Sequence, residues 1–173
     1  MNKKLVVFFS HRGETYFPGG YKNVIKGNAN IIAEKVRELL KADMFEIRAK
    51  DDYPESYDEC CKIAKEEQKK KILPELLGYM PSLDGYEDIV LIYPCWWGTM
   101  PQPVFTFLNH YDFTDKNIYP ICTHEGSGMG RSETDLSKTC EFANIFAGLA
   151  IQGSTSLECD NKLKKWLKVN QLI

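Results

Sequence analysis

Long apolar runs are missing from this chain. Nothing in it approaches the ~20 consecutive apolar residues that a bilayer-spanning helix needs, so no membrane span is expected. An excess of charge of either sign is missing too. The 22 Lys and Arg stand against 24 Asp and Glu, a net charge of -2, and without a basic patch nucleic acid is not an expected partner. The first residues, Met1-Asn2-Lys3-Lys4, lead into an apolar run too short for a signal peptide, and no small-residue cleavage site follows. The expected location is the cytoplasm. Cys60, Cys61, Cys95, Cys122, Cys140 and Cys159 contain no C-x-x-C pair and read as free thiols. His11, His110 and His124 lack metal-ligand spacing, so no metal is expected. There is no G-x-x-x-x-G-K-[ST], which disfavours a phosphate loop of the ATP or GTP type. There is no G-x-G-x-x-G after the first strand, which disfavours a dinucleotide fold. A missing G-x-S-x-G elbow likewise disfavours an esterase built on Ser10 or Ser127 with His11 or His124.

What is present is a repeated alternation. The 173 residues are 43% hydrophobic and 27% charged, which suits one folded domain over residues 1–173 with a sizeable core. Residues 5–9 and 89–93 are continuous apolar runs, as strands buried on both faces require. Residues 44–47, 118–122 and a part of 144–153 read as three more strands. Residues 13–26 hold Pro18, Gly19 and Gly20, show no period, and read as part of a long loop. Helical spacing begins at Ala29, with Ile32, Val36, Leu39 and Leu40 on one face. Residues 56–71 read as a polar helix with a solvated charged face, and Ser56 and Glu59 are spaced as a capping box. Pro101 and Pro103 can start a helix over 104–110. Residues 132–140 and 160–169 read as the last two helices. Strands alternating with helices predict a three-layer α/β domain with a mostly parallel sheet. Ligands in such sheets bind beyond the carboxyl ends of the strands, so the loops after the first, third and fourth strands are the place to look.

Those three loops are unusual. The first carries Ser10, His11 and Arg12, then Gly27, Asn28, Ala29 and Asn30 at a helix start, where unpaired N–H groups attract an anion. Ordinary capping by Asn28 is the plainer reading. The second is Pro94-Cys95-Trp96-Trp97-Gly98. Its tandem Trp can stack on a flat heteroaromatic ring, or one can cap the core while the other marks a partner surface. The third is Thr123-His124-Glu125-Gly126-Ser127-Gly128-Met129-Gly130-Arg131-Ser132, whose Gly126, Gly128 and Gly130 offer backbone donors at close range, or simply make a flexible turn. All three fall at one end of the predicted sheet.

These segments carry a resemblance. FFSHRGETYF with KGNANIIAEKV, then YPCWWGTMPQPVFTFL, ICTHEGSGMGRSETDL and GLAIQGS, resemble the flavodoxin-like family, in the subfamily with an extended first loop. The WWG and THEGSG segments are the specific ones. The resemblance implies a five-stranded parallel sheet in the order 2-1-3-4-5 and one non-covalent FMN. It implies phosphate held by Ser10 and the turn of Gly27, Asn28, Ala29 and Asn30, with the ring between the second and third loops. A Thr usually stands where this chain has Ala29, so one phosphate hydroxyl is missing. Asn30, Thr15 and Tyr16 are candidates to replace it. One of the two Trp is expected to face the ring, and the other to pack on the helix over 104–108.

The expected function follows from the cofactor: electron transfer or oxidoreduction by bound FMN, with position and electrostatics supplied by the protein. Electron-carrier flavodoxins are strongly acidic. At -2, with His11, Arg12 and His124 near the proposed site, this chain resembles them less in charge. An NAD(P)H-dependent quinone reductase and a non-catalytic protein-binding module are the alternatives. His124 is the candidate proton donor, since His titrates nearest neutrality. Expected partners are a redox protein, or NAD(P)H with a small electron acceptor. A homodimer is plausible by analogy with quinone reductases of similar fold.

Overall fold

A computed structural model of the chain describes residues 3–173. Met1 and Asn2, which open the stretch read above as lacking an export signal, lie outside the described residues. β1 (Lys3–Phe9) is followed by an antiparallel ribbon of β2 (Gly13–Phe17) and β3 (Gly20–Val24). Then come α1 (Asn28–Leu40), β4 (Asp43–Ile47), α2 (Tyr57–Lys70) and β5 (Tyr86–Pro94). α3 (Gln102–His110), β6 (Asn117–His124) and α4 (Ser132–Thr139) lead to two short strands, β7 (Asn144–Ile145) and β8 (Leu149–Gln152). A 3-10 turn over Gly153–Glu158 precedes α5 (Asp160–Val169).

The main sheet runs β4-β1-β5-β6, with β7 and β8 both on the outer side of β6 and every pair parallel. This is the expected order 2-1-3-4-5, with its fifth strand interrupted. The Gly148 N–H leaves the ladder there and donates to Glu133 Oε1 at 2.7 Å. Side chains alternate across the pleat. Leu5, Val7, Leu91 and Tyr93 face Val104 and Phe107 of α3 and Leu136 of α4. Val6, Phe8, Val90 and Ile92 face Ile32 and Val36 of α1 and Leu163 and Leu167 of α5. Full burial of one such aliphatic side chain contributes about 1.5–3 kcal/mol, so the apolar runs of β1 and β5 anchor the domain on both faces.

Two local readings change. Residues 13–24 form the β2–β3 ribbon and not an unpatterned loop. Gly19 and Gly20 turn it at φ values of 97° and 134°. The Glu14 N–H donates to Glu55 O at 2.8 Å, and Glu14 Oε2 accepts the Tyr57 N–H at 3.0 Å, fastening the ribbon to the start of α2. Tyr21 packs on Tyr57 with ring centroids 4.6 Å apart. The second change is at α1, whose cap residue is Gly27, with no side-chain cap. Asn28 instead accepts from Ser156 Oγ at 3.1 Å, so it is not the helix cap. Ser56 does cap α2, accepting the Glu59 N–H at 3.4 Å. No helix among the described residues is long and apolar enough to cross a membrane.

Candidate functional site

A cavity of about 490 Å³ opens at the carboxyl ends of β1, β5 and β6, within the usual size of small-molecule sites. Ser10, His11, Asn28 and Ala29 line one end. Pro94, Cys95, Trp96 and Trp97 line the middle, and Thr123, His124 and Glu125 the far side. The β2–β3 ribbon and α2 close it with Glu14, Thr15, Tyr16, Tyr57, Asp58, Cys60, Cys61 and Ala64.

The Ser10 end is built from backbone. Ser10 Oγ accepts the Asn30 N–H at 3.2 Å, so its own hydrogen can turn to a ligand. No acidic residue stands in the first turn of α1, and no side chain caps it. Its remaining N–H groups and the helix dipole therefore favour an anion. Gly27 packs so tightly that a methyl group on its Cα would overlap the His11 carbonyl oxygen and Ser10 Oγ. Gly27 and Asn30 thus build the seat from behind, and only Asn28 and Ala29 of the four line the cavity. His11 Nε2 donates to Pro54 O at 3.0 Å, which fixes its ring. Arg12 is exposed and lines a separate cleft of about 140 Å³ with Glu46, Arg48 and Asp52. The anion-favouring end therefore rests on dipoles.

The tandem Trp sits on a two-residue reversal. Trp96 and Thr99 exchange backbone hydrogen bonds of 2.9 and 3.2 Å, and the two residues between them, Trp97 and Gly98, have φ of 51° and 79°. A positive φ at Trp is strained by ~1–3 kcal/mol, so the surroundings must hold it. Trp97 Nε1 donates to Cys61 O at 3.0 Å, Lys65 Nζ lies 4.8 Å from the indole, and Arg131 Nη1 and Gln68 Nε2 both donate to Trp97 O at 3.3 Å. Trp96 is half-buried, edge-on to Phe9 at 5.2 Å and to Tyr53 at 5.0 Å. Both indoles line the cavity. Trp96 joins the core face that includes α3, whereas Trp97, 45% exposed, leans on α2.

The third loop docks on the second. The Arg131 N–H donates to Gly98 O at 2.8 Å, and Gly130 lies so close to Gly98 that a side chain there would overlap its backbone. The Arg131 guanidinium is paired to Asp135 at 3.2 Å, and Asp135 also accepts from Thr99 Oγ1 at 2.6 Å. His124 Nδ1 accepts the Gly126 N–H at 2.9 Å, which leaves the ring proton of the neutral imidazole on Nε2. Glu125 accepts from the Ser154 N–H, Ser154 Oγ and Gln152 Nε2, tying this loop to the end of β8. Gly98, Gly126, Ser127 and Gly128 shape the two loops without lining the cavity.

Three cysteines, Cys60, Cys61 and Cys95, share the wall with Glu14, Asp58 and Glu125. A hydrogen bond from the Cys122 thiol, with further bonds from Ser127 and the Gly98 N–H and the nearby Arg131 charge, pulls the Cys95 thiol down to about 6 against the cost of burial. The same partnership and burial push Cys122 up. Burial pushes Cys60 up to about 12, and raises Cys61 as well.

Sequence reading named Thr15 and Tyr16 of the ribbon but missed Glu14 and the whole α2 wall. The available signal was the β-favouring run Thr15-Tyr16-Phe17 before the turn residues Pro18-Gly19-Gly20, a hairpin pattern. On α2 it was the small or apolar set Cys60, Cys61 and Ala64 within a polar helix.

A sequence model of the flavodoxin family matches residues 20–170. No curated protein matches the chain. Among solved structures, a Bacteroides uniformis protein provisionally classed as a flavoprotein superposes with a TM-score of 0.78 at 23% identity, over 96% of this chain and 98% of that one. A Lactobacillus acidophilus flavoprotein in complex with FMN superposes at 0.69 with 19% identity, over 96% and 99% of the two chains. An NAD(P)H:quinone oxidoreductase from Methanothermobacter marburgensis reaches 0.51 at 11% identity, over 99% and 98%. At these identities the likeness is one of fold.

Proposed function

The chain belongs to the flavodoxin family, and from that premise we propose that it binds one FMN non-covalently and acts in electron transfer or oxidoreduction. The observation that carries the reading is the cavity itself. One end has the Ser10 hydroxyl beside a helix N-terminus whose cap residue, Gly27, offers no side chain, and the rest of the wall has Trp96 and Trp97 with Thr123, His124 and Glu125. A phosphate fits the chemistry of the first end and a flat heteroaromatic ring that of the rest. The tight packing of Gly27 on Ser10 is the kind of cradle a phosphate seat needs. When bound, FMN supplies one- and two-electron chemistry.

The chain's own residues hold and orient. Ser10 Oγ and the first N–H groups of α1 hold the phosphate. Thr15 and Tyr16 line the cavity and can supply the hydroxyl that Ala29 lacks. Pro94 to Trp97 and Thr123 to Glu125 would hold the ring and shield it from water, and His124 Nε2 would offer a proton within the same cavity. Six free cysteines suit a reducing compartment, and the cytoplasm is the one proposed.

A specific observation favours the narrower reading of an NAD(P)H-dependent quinone reductase. The cavity extends past the three loops to Tyr16, Tyr57, Cys61 and Ala64, a wall where a second flat molecule can lie. The donor is then NAD(P)H and the acceptor a small molecule. A redox partner protein replaces both if the chain is an electron carrier, and a homodimer is compatible with either. The deciding experiment is anaerobic stopped-flow reduction of FMN-loaded protein by NADH and NADPH. Fast bleaching of the flavin supports the reductase, and negligible reduction by both supports the carrier. Failure to load FMN at all overturns the proposal.

A further inference from the structure

Beyond the tandem Trp the cavity has a second compartment, built by the β2–β3 ribbon and the first turns of α2. Glu14, Thr15 and Tyr16 line it from the ribbon, and Tyr57, Asp58 and Cys61 from α2. Short contacts hold these side chains together. Glu14 Oε2 accepts the Tyr57 N–H at 3.0 Å, Asp58 Oδ1 accepts from the Tyr21 hydroxyl at 3.0 Å, and Tyr21 packs on Tyr57 with ring centroids 4.6 Å apart. The Tyr16 and Tyr57 rings are 6.3 Å apart. Trp97 Nε1 reaches back to Cys61 O at 3.0 Å, which sets an indole at the inner border of the compartment. Tyr16 and Trp97 are 44% and 45% exposed, so both have aromatic surface left to cover.

We propose that this compartment takes a planar aromatic cation, and that this is the chemical class of the small electron acceptor; the inference rests on the oxidoreductase reading above. Two properties of the wall carry it. The wall is aromatic, which suits a flat ring, and the π faces of Tyr and Trp attract positive charge. The fixed charge on it is of one sign. Glu14 and Asp58 each use one carboxylate oxygen in the bonds above, and the other has no protein hydrogen-bond partner among the described residues. Glu125 adds a third carboxylate from the far side of the cavity. The dipole at the α2 N-terminus offsets part of the Glu14 and Asp58 charge and leaves its sign unchanged.

Positive charge nearby is committed elsewhere. The described residues that line the cavity include no Lys or Arg. Lys65 Nζ lies over the Trp97 indole at 4.8 Å, Lys22 Nζ over the Phe17 ring at 5.0 Å, and the Arg131 guanidinium is paired with Asp135. Arg12 opens on the separate cleft. His11 is fixed on Pro54 O, and His124 Nδ1 accepts the Gly126 N–H, as an uncharged ring does. A planar anion in the compartment would therefore meet like charge from Glu14, Asp58 and Glu125, with no lining Lys or Arg to offset it. A planar cation meets the opposite field.

The test uses the full-length protein, FMN-loaded and FMN-free, at low salt and slightly above neutral pH. The probes are thionine, a planar tricyclic cation, and resorufin, a planar tricyclic anion of similar shape. Titration followed by visible absorbance should show saturable thionine binding to the FMN-loaded protein, tighter than that of resorufin, with the difference shrinking as salt rises. Glu14→Gln and Asp58→Asn keep an accepting oxygen for Tyr57 and Tyr21 and remove the charge. Each should weaken thionine by about 5-fold and strengthen resorufin, whereas Glu38→Gln, exposed at the far end of α1, should leave both unchanged. Resorufin binding as tight as thionine, no saturable thionine binding, or a thionine affinity untouched in the Glu14→Gln, Asp58→Asn double variant overturns the proposal. Flavin absorbance reports separately whether FMN loads, and the FMN-free arm carries the same comparison of charge. Failure to bind FMN is thus distinguished from failure of the compartment.

Discussion

Gly27→Ala is the substitution that most sharply separates a built phosphate seat from an incidental crevice. Gly27 has φ -69° and ψ 160°, a conformation open to alanine, so the backbone itself resists nothing. The obstacle is the added methyl, which overlaps the His11 carbonyl oxygen and Ser10 Oγ. One partner is backbone and cannot rotate away, so the loop after β1 must shift from the α1 N-terminus. Overpacking of this kind costs about 1–3 kcal/mol. For a chain of this size that lowers Tm by roughly 2–12 °C, at about 2–4 °C per kcal/mol. The same shift separates Ser10 Oγ from the α1 N–H groups. Loss of one hydrogen bond to a charged group, about 1.5–3 kcal/mol, weakens FMN binding by roughly 10- to 150-fold. Thermal unfolding of the FMN-free protein and FMN titration by absorbance read the two effects separately. Gly78→Ala is the control, since nothing lies within 4 Å of its added methyl, and it should leave both unchanged. A Gly27→Ala protein that matches wild type in Tm and in FMN affinity refutes the seat.

Three further outcomes follow. Tyr93→Phe removes a buried O–H that donates to Ser132 Oγ at 2.9 Å; differential scanning calorimetry should show a loss of about 1 kcal/mol. Glu67 is half-buried, and desolvation raises its pKa above the usual 4.5, opposed by the hydrogen bond from Tyr53. A raised carboxylate favours the protonated folded state, so its stabilising share is present in acid and is lost as pH climbs past 4.5 through the folded value. Glu67→Gln should therefore gain a few tenths of a kcal/mol at pH 7 after solvent screening, with the gain vanishing below about pH 4 in urea melts. His124→Ala should slow the proton-coupled step of flavin reduction by about 10²-fold. Unchanged stopped-flow kinetics would remove His124 from the chemistry.

The sheet was legible because its strands are buried on both faces. Leu5 to Phe9 and Ile89 to Tyr93 have no polar side to confuse the pattern, and helical spacing marked α1 and α5. The ribbon was hidden for the opposite reason. β2 and β3 pair only with each other and are mostly exposed or half-buried, so no core imposes a period on them. α2 misled in a similar way: its charges are largely solvated, but Cys60, Cys61 and Ala64 face a cavity, where a ligand and not the core asks for small side chains. The three loops could be placed at one end of the sheet from strand order alone. Which side chains reach the cavity could not, because that depends on how the chain turns. Arg12 leaves by the other side of the strand end, and Asn28 gives the cap to Gly27.

The central claim is that the cavity seats FMN with both indoles of the second loop on its wall. Trp96 and Trp97 line it, whereas the third tryptophan, Trp166, lies on α5 with its Nε1 bonded to Ala147 O at 3.2 Å. Titration of the FMN-free protein with FMN, followed by tryptophan fluorescence and flavin absorbance together, measures this directly. The account predicts saturation at one FMN per chain, with strong quenching that shrinks in Trp97→Phe and persists in Trp166→Phe. No saturable binding at high micromolar FMN, or quenching that follows Trp166, would contradict it.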